Sequence, residues 1–268
     1  MSKEIYVPEG GIAHKVTKVY APVNGVARSV KKVYKGVGGI ARQVFEALPP
    51  VDALFANNTW ADIILACQLN AVPDTWVIGD QMPMMIGGVE YLVDIIGKNH
   101  DDYADGSGKA PLTFQLHECY NTVYSMNHAD SNVGGWEKCK MRTTYLPEIF
   151  AVMPPEVQVC IREVTKRTSA GTDTSKVTNT ADKLFLLSEI EVTGRRSKAE
   201  SSDEGTQYAY YANGGSLLKT LNGLGHEWWL RSPASASDSF YCLVGKTNNI
   251  NYDWALIKQY GVAPAFCF

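Results

Sequence analysis

Aromatic, amide, hydroxyl and charged side chains, with small alanines among them, crowd one short stretch near the C-terminus. Ala234, Ala236, Ser237 and Asp238 are followed by Tyr241, then Lys246, Asn248, Asn249, Asn251, Tyr252, Asp253 and Trp254. Tyr and Trp supply contact area at low entropic cost, and Asn, Ser and Asp supply adaptable hydrogen bonds, so the chemistry of this stretch is recognition. Other candidates carry less. Asn99 to Gly108 is rich in Asp but lacks the spaced ligands and closing Glu of a calcium loop, and reads as a solvated acidic turn. The five histidines (14, 100, 117, 128, 226) form no metal-binding pair. His226 beside Glu227 reads as structural. No GxSxG, Walker or GxGxxG motif is present. The six cysteines (67, 119, 139, 160, 242, 267) are widely spaced and read as free buried thiols. A non-enzymatic protein without metal or cofactor is expected.

Strands must hold the recognition stretch. Glu227-Trp228-Trp229-Leu230-Arg231-Ser232-Pro233 reads as a core strand with Trp229 and Leu230 buried and Arg231 paired to a carboxylate or to carbonyls. A small polar loop leads into a second strand, Phe240–Val244, and Tyr260–Phe268 reads as an apolar final strand. Upstream, Asn58–Asn70 reads as a short helix with Asn58 as its cap. Thr75–Asp80 and Val89–Ile96 read as strands. Glu156–Arg167 follows two prolines and places Val157, Cys160, Ile161 and Val164 at helical spacing, which predicts a helix. Lys183–Val192 reads as a strand, and 98–109 and 168–182 as loops. Helices and strands without βαβ alternation predict an α+β fold.

The first 47 residues differ from the rest. Gly10-Gly11-Ile12-Ala13, Asn24-Gly25-Val26-Ala27 and Gly38-Gly39-Ile40-Ala41 recur at a fourteen-residue period, and Lys18-Val19-Tyr20 recurs as Lys32-Val33-Tyr34. A turn pair followed by alternating apolar residues predicts a β-meander. Up to residue 46 there are eight Lys/Arg against three Glu, whereas the whole chain carries −3, so the remainder is acidic. A set of strands this small cannot bury enough surface alone, and oligomerisation or attachment is expected of it. The boundary falls at Leu48-Pro49-Pro50, giving an attachment segment over 1–47 and a main domain over 48–268. With pI about 6.0, no global basic field points to nucleic acid. No run of about 18 apolar residues points to membrane insertion. The opening MSKEIYVPEGG lacks a signal core, so synthesis in the host cytoplasm without export is expected.

The Trp228–Pro233 run, the polar stretch after it and the terminal Tyr260-Gly261-Val262-Ala263-Pro264-Ala265-Phe266-Cys267-Phe268 resemble the C-terminus of C-type-lectin-fold proteins of phages and bacteria. That group includes variable proteins diversified by retroelements and phage receptor-binding proteins. Trp76–Asp80, Trp136–Arg142, Leu184–Gly194 and Gln207–Tyr211 are similar to the same group, so the resemblance covers about residues 70–268. It implies a fixed framework at Trp228–Pro233 and Gly261–Phe268, with the twelve positions of the opening paragraph ligand-facing between them. Ala263 stands where many members of the group have Arg, which removes one expected core ion pair. The resemblance implies a virion protein at a tail tip or fibre, a homotrimer or other homo-oligomer joined through the N-terminal repeats. Its partners would be other tail proteins and a bacterial surface protein or glycan. Two alternatives share the pattern. One is a virion decoration protein without a ligand. The other is an oxidase of the formylglycine-generating kind, for which Cys242 and Cys267 are the C-terminal thiol candidates.

Overall fold

A computed structural model describes residues 51–268 in full and, before them, the backbones of six strands. The chain divides into two compact units, Met1–Val51 and Asp52–Phe268. In the first, β1 (Tyr6–Glu9) pairs with β2 (Ile12–Lys15), β3 (Val19–Val23) with β4 (Val26–Val30), and β5 (Lys32–Val37) with β6 (Ile40–Glu46). The closing pairs Glu9↔Ile12, Val23↔Val26 and Val37↔Ile40 repeat the sequence period. The predicted meander is therefore three separate antiparallel hairpins among the described residues. The turn pairs, the lysine side chains and the Leu48-Pro49-Pro50 boundary lie outside the described residues.

The second unit mixes helix and sheet. It opens with α1 (Trp60–Gln68), whose N-cap is Thr59. Thr59 and Asp62 form a reciprocal capping box, satisfying two of the N–H groups that a helix start leaves unpaired. Asn58, the expected cap, instead turns its amide inward to the Asp52, Leu54 and Phe55 carbonyls. Residues 75–80 form turns rather than a strand, with Trp76 fully buried and its indole N–H donating to Asp52 O. The strand there is β7 (Gln81–Ile86), joined across Gly87-Gly88 to β8 (Val89–Lys98). β9 (Leu112–Leu116) follows on the other side of β8.

Helices α2 (Gly135–Lys138), α3 (Leu146–Ala151) and α4 (Pro155–Gln158) are short. The helix predicted over 156–167 ends at Gln158. Its second half is β10 (Val164–Ser169), hairpinned with β11 (Val177–Asp182) inside the region predicted as loop. The predicted strand 183–192 is β12 (Leu184–Phe185) followed by α5 (Glu189–Thr193), started by a capping box between Ser188 and Glu191. Beyond α6 (Ala209–Ala212) come β13 (Lys219–Leu221), β14 (Leu224–His226), β15 (Trp228–Pro233), β16 (Phe240–Val244), β17 (Ile250–Trp254) and β18 (Ala265–Cys267).

The main sheet has the order β12-β18-β9-β8-β7, so the final strand sits inside it between β12 and β9. Phe114, Phe266 and Phe268 pack ring to ring in its core, with Phe114 and Phe266 stacked at 5.4 Å. A second sheet, β15-β16-β17, carries the recognition stretch. All six residues of β15 are buried, which anchors this sheet from its inner edge.

Candidate functional site

β16 and β17 pair in register Phe240↔Trp254, Cys242↔Tyr252 and Val244↔Ile250. Strand alternation puts Ile250, Tyr252 and Trp254 on one face of β17, with Phe240 beside them. Phe240 stacks on Tyr252 at 5.2 Å and meets Trp254 edge-on at 4.7 Å. The Lys198 ammonium stands 5.6 Å from the centre of the Tyr252 ring. Trp254 is 46% exposed, unlike Trp76, Trp136, Trp228 and Trp229, which are wholly buried. An aromatic surface held open to water on a paired strand is a ready contact face.

The twelve predicted positions separate by environment. Ala236, Asp238, Lys246, Asn248, Asn249, Asn251 and Trp254 are exposed, and Ser237, Tyr252 and Asp253 are half-buried. Ala234 and Tyr241 are buried and do not face a ligand. Ala234 donates its N–H to Phe240 O, and Tyr241 points inward, its hydroxyl donating to Gly135 O at 3.0 Å. Asp253 is already engaged, accepting from the Tyr260 hydroxyl and from Trp254 N. The remaining positions do not form one patch. Asn248 and Asn249 lie at the tip joining β16 to β17, whereas the 236–238 loop lies by Trp254, where Ala255 N donates to Ser239 O. Four residues of strand, roughly 13 Å, separate the two ends.

A network of buried charge fixes this surface from beneath. Arg231 is completely buried, and its guanidinium forks onto the Glu191 carboxylate while donating to the Leu186, Arg167 and Glu204 carbonyls and to Thr168 Oγ1. The carboxylate partner expected from sequence is thus Glu191. Lys166 bridges Glu191 at 2.6 Å and Asp101 at 2.7 Å, and Asp101 also accepts from Tyr208 and Thr113. Burial pushes the Asp101 carboxyl up, but Lys166 and the hydrogen bonds outweigh it and hold the group down at about 2. Asp101 is therefore a structural anion, not part of a solvated turn. Asp102 and Asp105, by contrast, are exposed and pair with Lys109 and Arg162.

Further glutamates grip the segment after α5 by its backbone. Buried Glu189 accepts from Ser197 N, Lys198 N and Ala199 N. Glu200 accepts from Ser169 Oγ, Asn132 Nδ2 and Asp173 N. Glu204 accepts from Ser232 Oγ and Ser169 N, and its burial raises the carboxyl from 4.5 to about 7 against those hydrogen bonds. Asn132, also buried, braces the 234–239 loop by donating from Nδ2 to Ser237 O and Phe240 O and from its backbone to Asp238 O.

At the hairpin tip a groove of about 690 Å³ opens between the end of α5, the residues around α6 and Asn248–Ile250. Arg195, Ser197, Gln207 and Leu217 line it from the side opposite the tip. Sequence reasoning passed over Phe240, Lys198, Arg195 and Gln207, since nothing local in the chain places 195–207 against 240–254.

The thiols offer no reactive pair. Cys67, Cys119, Cys139, Cys242 and Cys267 are buried, Cys160 is half-buried, and none is bridged. Burial pushes Cys67, Cys119 and Cys139 up to about 12, and Cys242 and Cys267 are also raised by burial. Among the described residues no group of three or more His, Cys, Asp or Glu is placed to hold a metal ion, and no helix is long and apolar enough to cross a membrane.

Fold and site together describe a mixed helix-and-sheet unit with an aromatic and polar face on a charge-locked frame. Residues 112–268 match the family described as a domain of unknown function (DUF6273), and the chain belongs to that family. The matched span contains the whole β15-β16-β17 sheet and most of the buried charge network. No curated protein and no solved structure matches the chain.

Proposed function

We propose that this chain is a phage tail-associated receptor-binding protein, a variable protein of C-type-lectin fold whose head contacts a protein or glycan on a bacterial host. In this reading the N-terminal repeats join the chain into a homotrimer and attach it to other tail proteins in the virion. The head works by binding alone, without catalysis or cofactor. The observation that carries the reading is the Phe240–Tyr252–Trp254 cluster, with Trp254 exposed and the other two half-buried, on a strand pair whose inner neighbour is entirely buried. Rigid aromatic anchors are the side chains that most often dominate binding energy. Several such heads on one oligomer multiply weak single contacts by about 10²–10⁴. Retroelement diversification would act on the exposed positions of the same hairpin.

The test is binding of the purified protein to a panel of bacterial strains, beside a variant with Asn251, Tyr252 and Trp254 all changed to Ala. Some strains bind the wild type, and the variant, with unchanged thermal unfolding, loses that binding. Tyr252→Ala or Trp254→Ala alone costs about 2 kcal/mol, roughly thirty-fold in affinity. A folded oligomer that binds no strain instead supports a decoration protein without a ligand.

A further inference from the structure

The groove at the hairpin tip differs in chemistry from the aromatic cluster at the other end of β17. Its apolar lining is Val192, Leu217 and Ile250. Its polar lining comes from Ser197, Gln207, Asn248 and Asn249, of which the Ser197 hydroxyl already donates to Glu189 and Gln207 Nε2 to Val192 O. Its one charged lining residue is Arg195, which is exposed. Among the described residues no hydrogen bond or ion pair engages the Arg195 guanidinium or the Asn248 amide, and Asn249 uses only Oδ1, accepting from Thr247 Oγ1. Asn248 holds a left-handed backbone (φ +59°), a conformation Asn tolerates better than most residues. The tip is closed by Gly245 N donating to Asn249 O and Asn248 N to Gly245 O, so these amides stand on a fixed turn.

Charge is sorted around this groove. Arg195 and Arg196 are exposed, with Arg196 donating to Glu200 O, Lys198 is half-buried beside the Tyr252 ring, and Lys246 is exposed on the hairpin loop. The neighbouring carboxylates of Glu189, Glu191, Glu200 and Glu204 are buried and spent on inward hydrogen bonds. Arg195 is thus the cation lining the groove, on a chain of net charge −3. The volume lies within the about 300–1,000 Å³ of small-molecule sites.

We propose that the groove binds an anionic saccharide. Arg195 takes the carboxylate or phosphate, the Asn248 amide and Asn249 Nδ2 pair with sugar hydroxyls, and Leu217 and Ile250 pack against the C–H face of a ring. A guanidinium fork matches either anion bidentately. The proposal rests on the reading that this hairpin face meets a cell surface, and it adds a second contact of defined chemistry.

The experiment applies the full-length protein to an array of oligosaccharides bearing uronic acid, sialic acid or phosphate, beside their neutral counterparts. Affinities of the hits are then measured by calorimetry. Acidic members bind, and their neutral counterparts bind at least about ten-fold more weakly. Arg195→Ala and Asn248→Ala each lower affinity for the acidic hits about ten-fold or more, with thermal unfolding unchanged. The carboxylate and phosphate members separate the two sources of the anion. Failure of every acidic member to bind, equal binding of acidic and neutral members, or undiminished affinity in both variants overturns the proposal. Strain binding that persists without any acidic hit removes the groove alone. Acidic hits that survive the Asn251, Tyr252 and Trp254 triple variant keep the groove while the aromatic face fails.

Discussion

Arg231 shows what one buried charge demands of its surroundings. With its side chain at 0% exposure, every donor it carries must find an acceptor, and Glu191, Glu204 O, Leu186 O, Arg167 O and Thr168 supply them. Arg231→Ala leaves Glu191 facing Lys166 alone and should cost about 3–5 kcal/mol in urea unfolding. Arg231→Lys loses the fork and should rescue only part of that loss. Two carboxyls of the same network give opposite pH signatures. The Glu204 carboxyl is raised to about 7 on folding, so its contribution is fully present below about 4.5 and is lost as pH rises through about 7. The Asp101 carboxyl is lowered to about 2, so its contribution is present above 3.8 and is lost as pH falls through about 2. Wild type should therefore lose stability relative to Glu204→Gln as pH rises from about 4.5 to 7. A constant difference across that window would remove Glu204 as the titrating group.

At the scale of elements, a few local signals were decisive and some were overlooked. The six-residue run at 228–233 was legible as a buried strand because its large apolar residues admit little else, and Arg231 announced a carboxylate partner. The start of α5 was also written in the chain, since Ser188 followed by Glu191 is a capping-box pattern, yet the apolar run before it suggested a longer strand. Gly87-Gly88, which joins β7 to β8, is a hairpin signal that the expectation of a strand at 75–80 passes over. Residues 156–167 misled for a physical reason. Val157, Cys160, Ile161 and Val164 have helical spacing, but the inward side of β10 includes Lys166, and only the distant Asp101 and Glu191 make a lysine acceptable there. The groove was illegible because its two sides come from separate stretches of chain.

Backbone contacts between elements give a further prediction. Gly135 (φ +53°) and Gly171 (φ +78°) each leave room for no side chain, since an added Cβ would stand 1.9 Å from Ser169 O or Asn132 O. Gly135→Ala and Gly171→Ala should each destabilise the second unit by at least about 1–3 kcal/mol, visible as a lowered melting temperature.

The chain divides into two compact units, one holding three hairpins and the other, Asp52–Phe268, with its own core. If the repeats join copies of the chain, analytical ultracentrifugation should find the full chain oligomeric and residues 52–268 monomeric. An oligomeric head fragment would assign assembly to the head instead. Thiol counting checks the integrity of that head. In native protein only Cys160 should label quickly with a maleimide, and all six cysteines should label in denaturant. Rapid native labelling of Cys242 or Cys267 would restore the oxidase alternative.

Glu189 holds residues 197–199 through their amide N–H groups, which every residue except proline possesses. Arg196 donates to Glu200 O and is tied to it, whereas the fold places little demand on the side chains of Lys198 and Arg195. Selection can rewrite these letters without renegotiating the architecture, and a library randomised there and at Asn248, Asn249 and Asn251 should yield mostly folded proteins. Anchoring by backbone N–H groups leaves the outward side chains of this segment free to change.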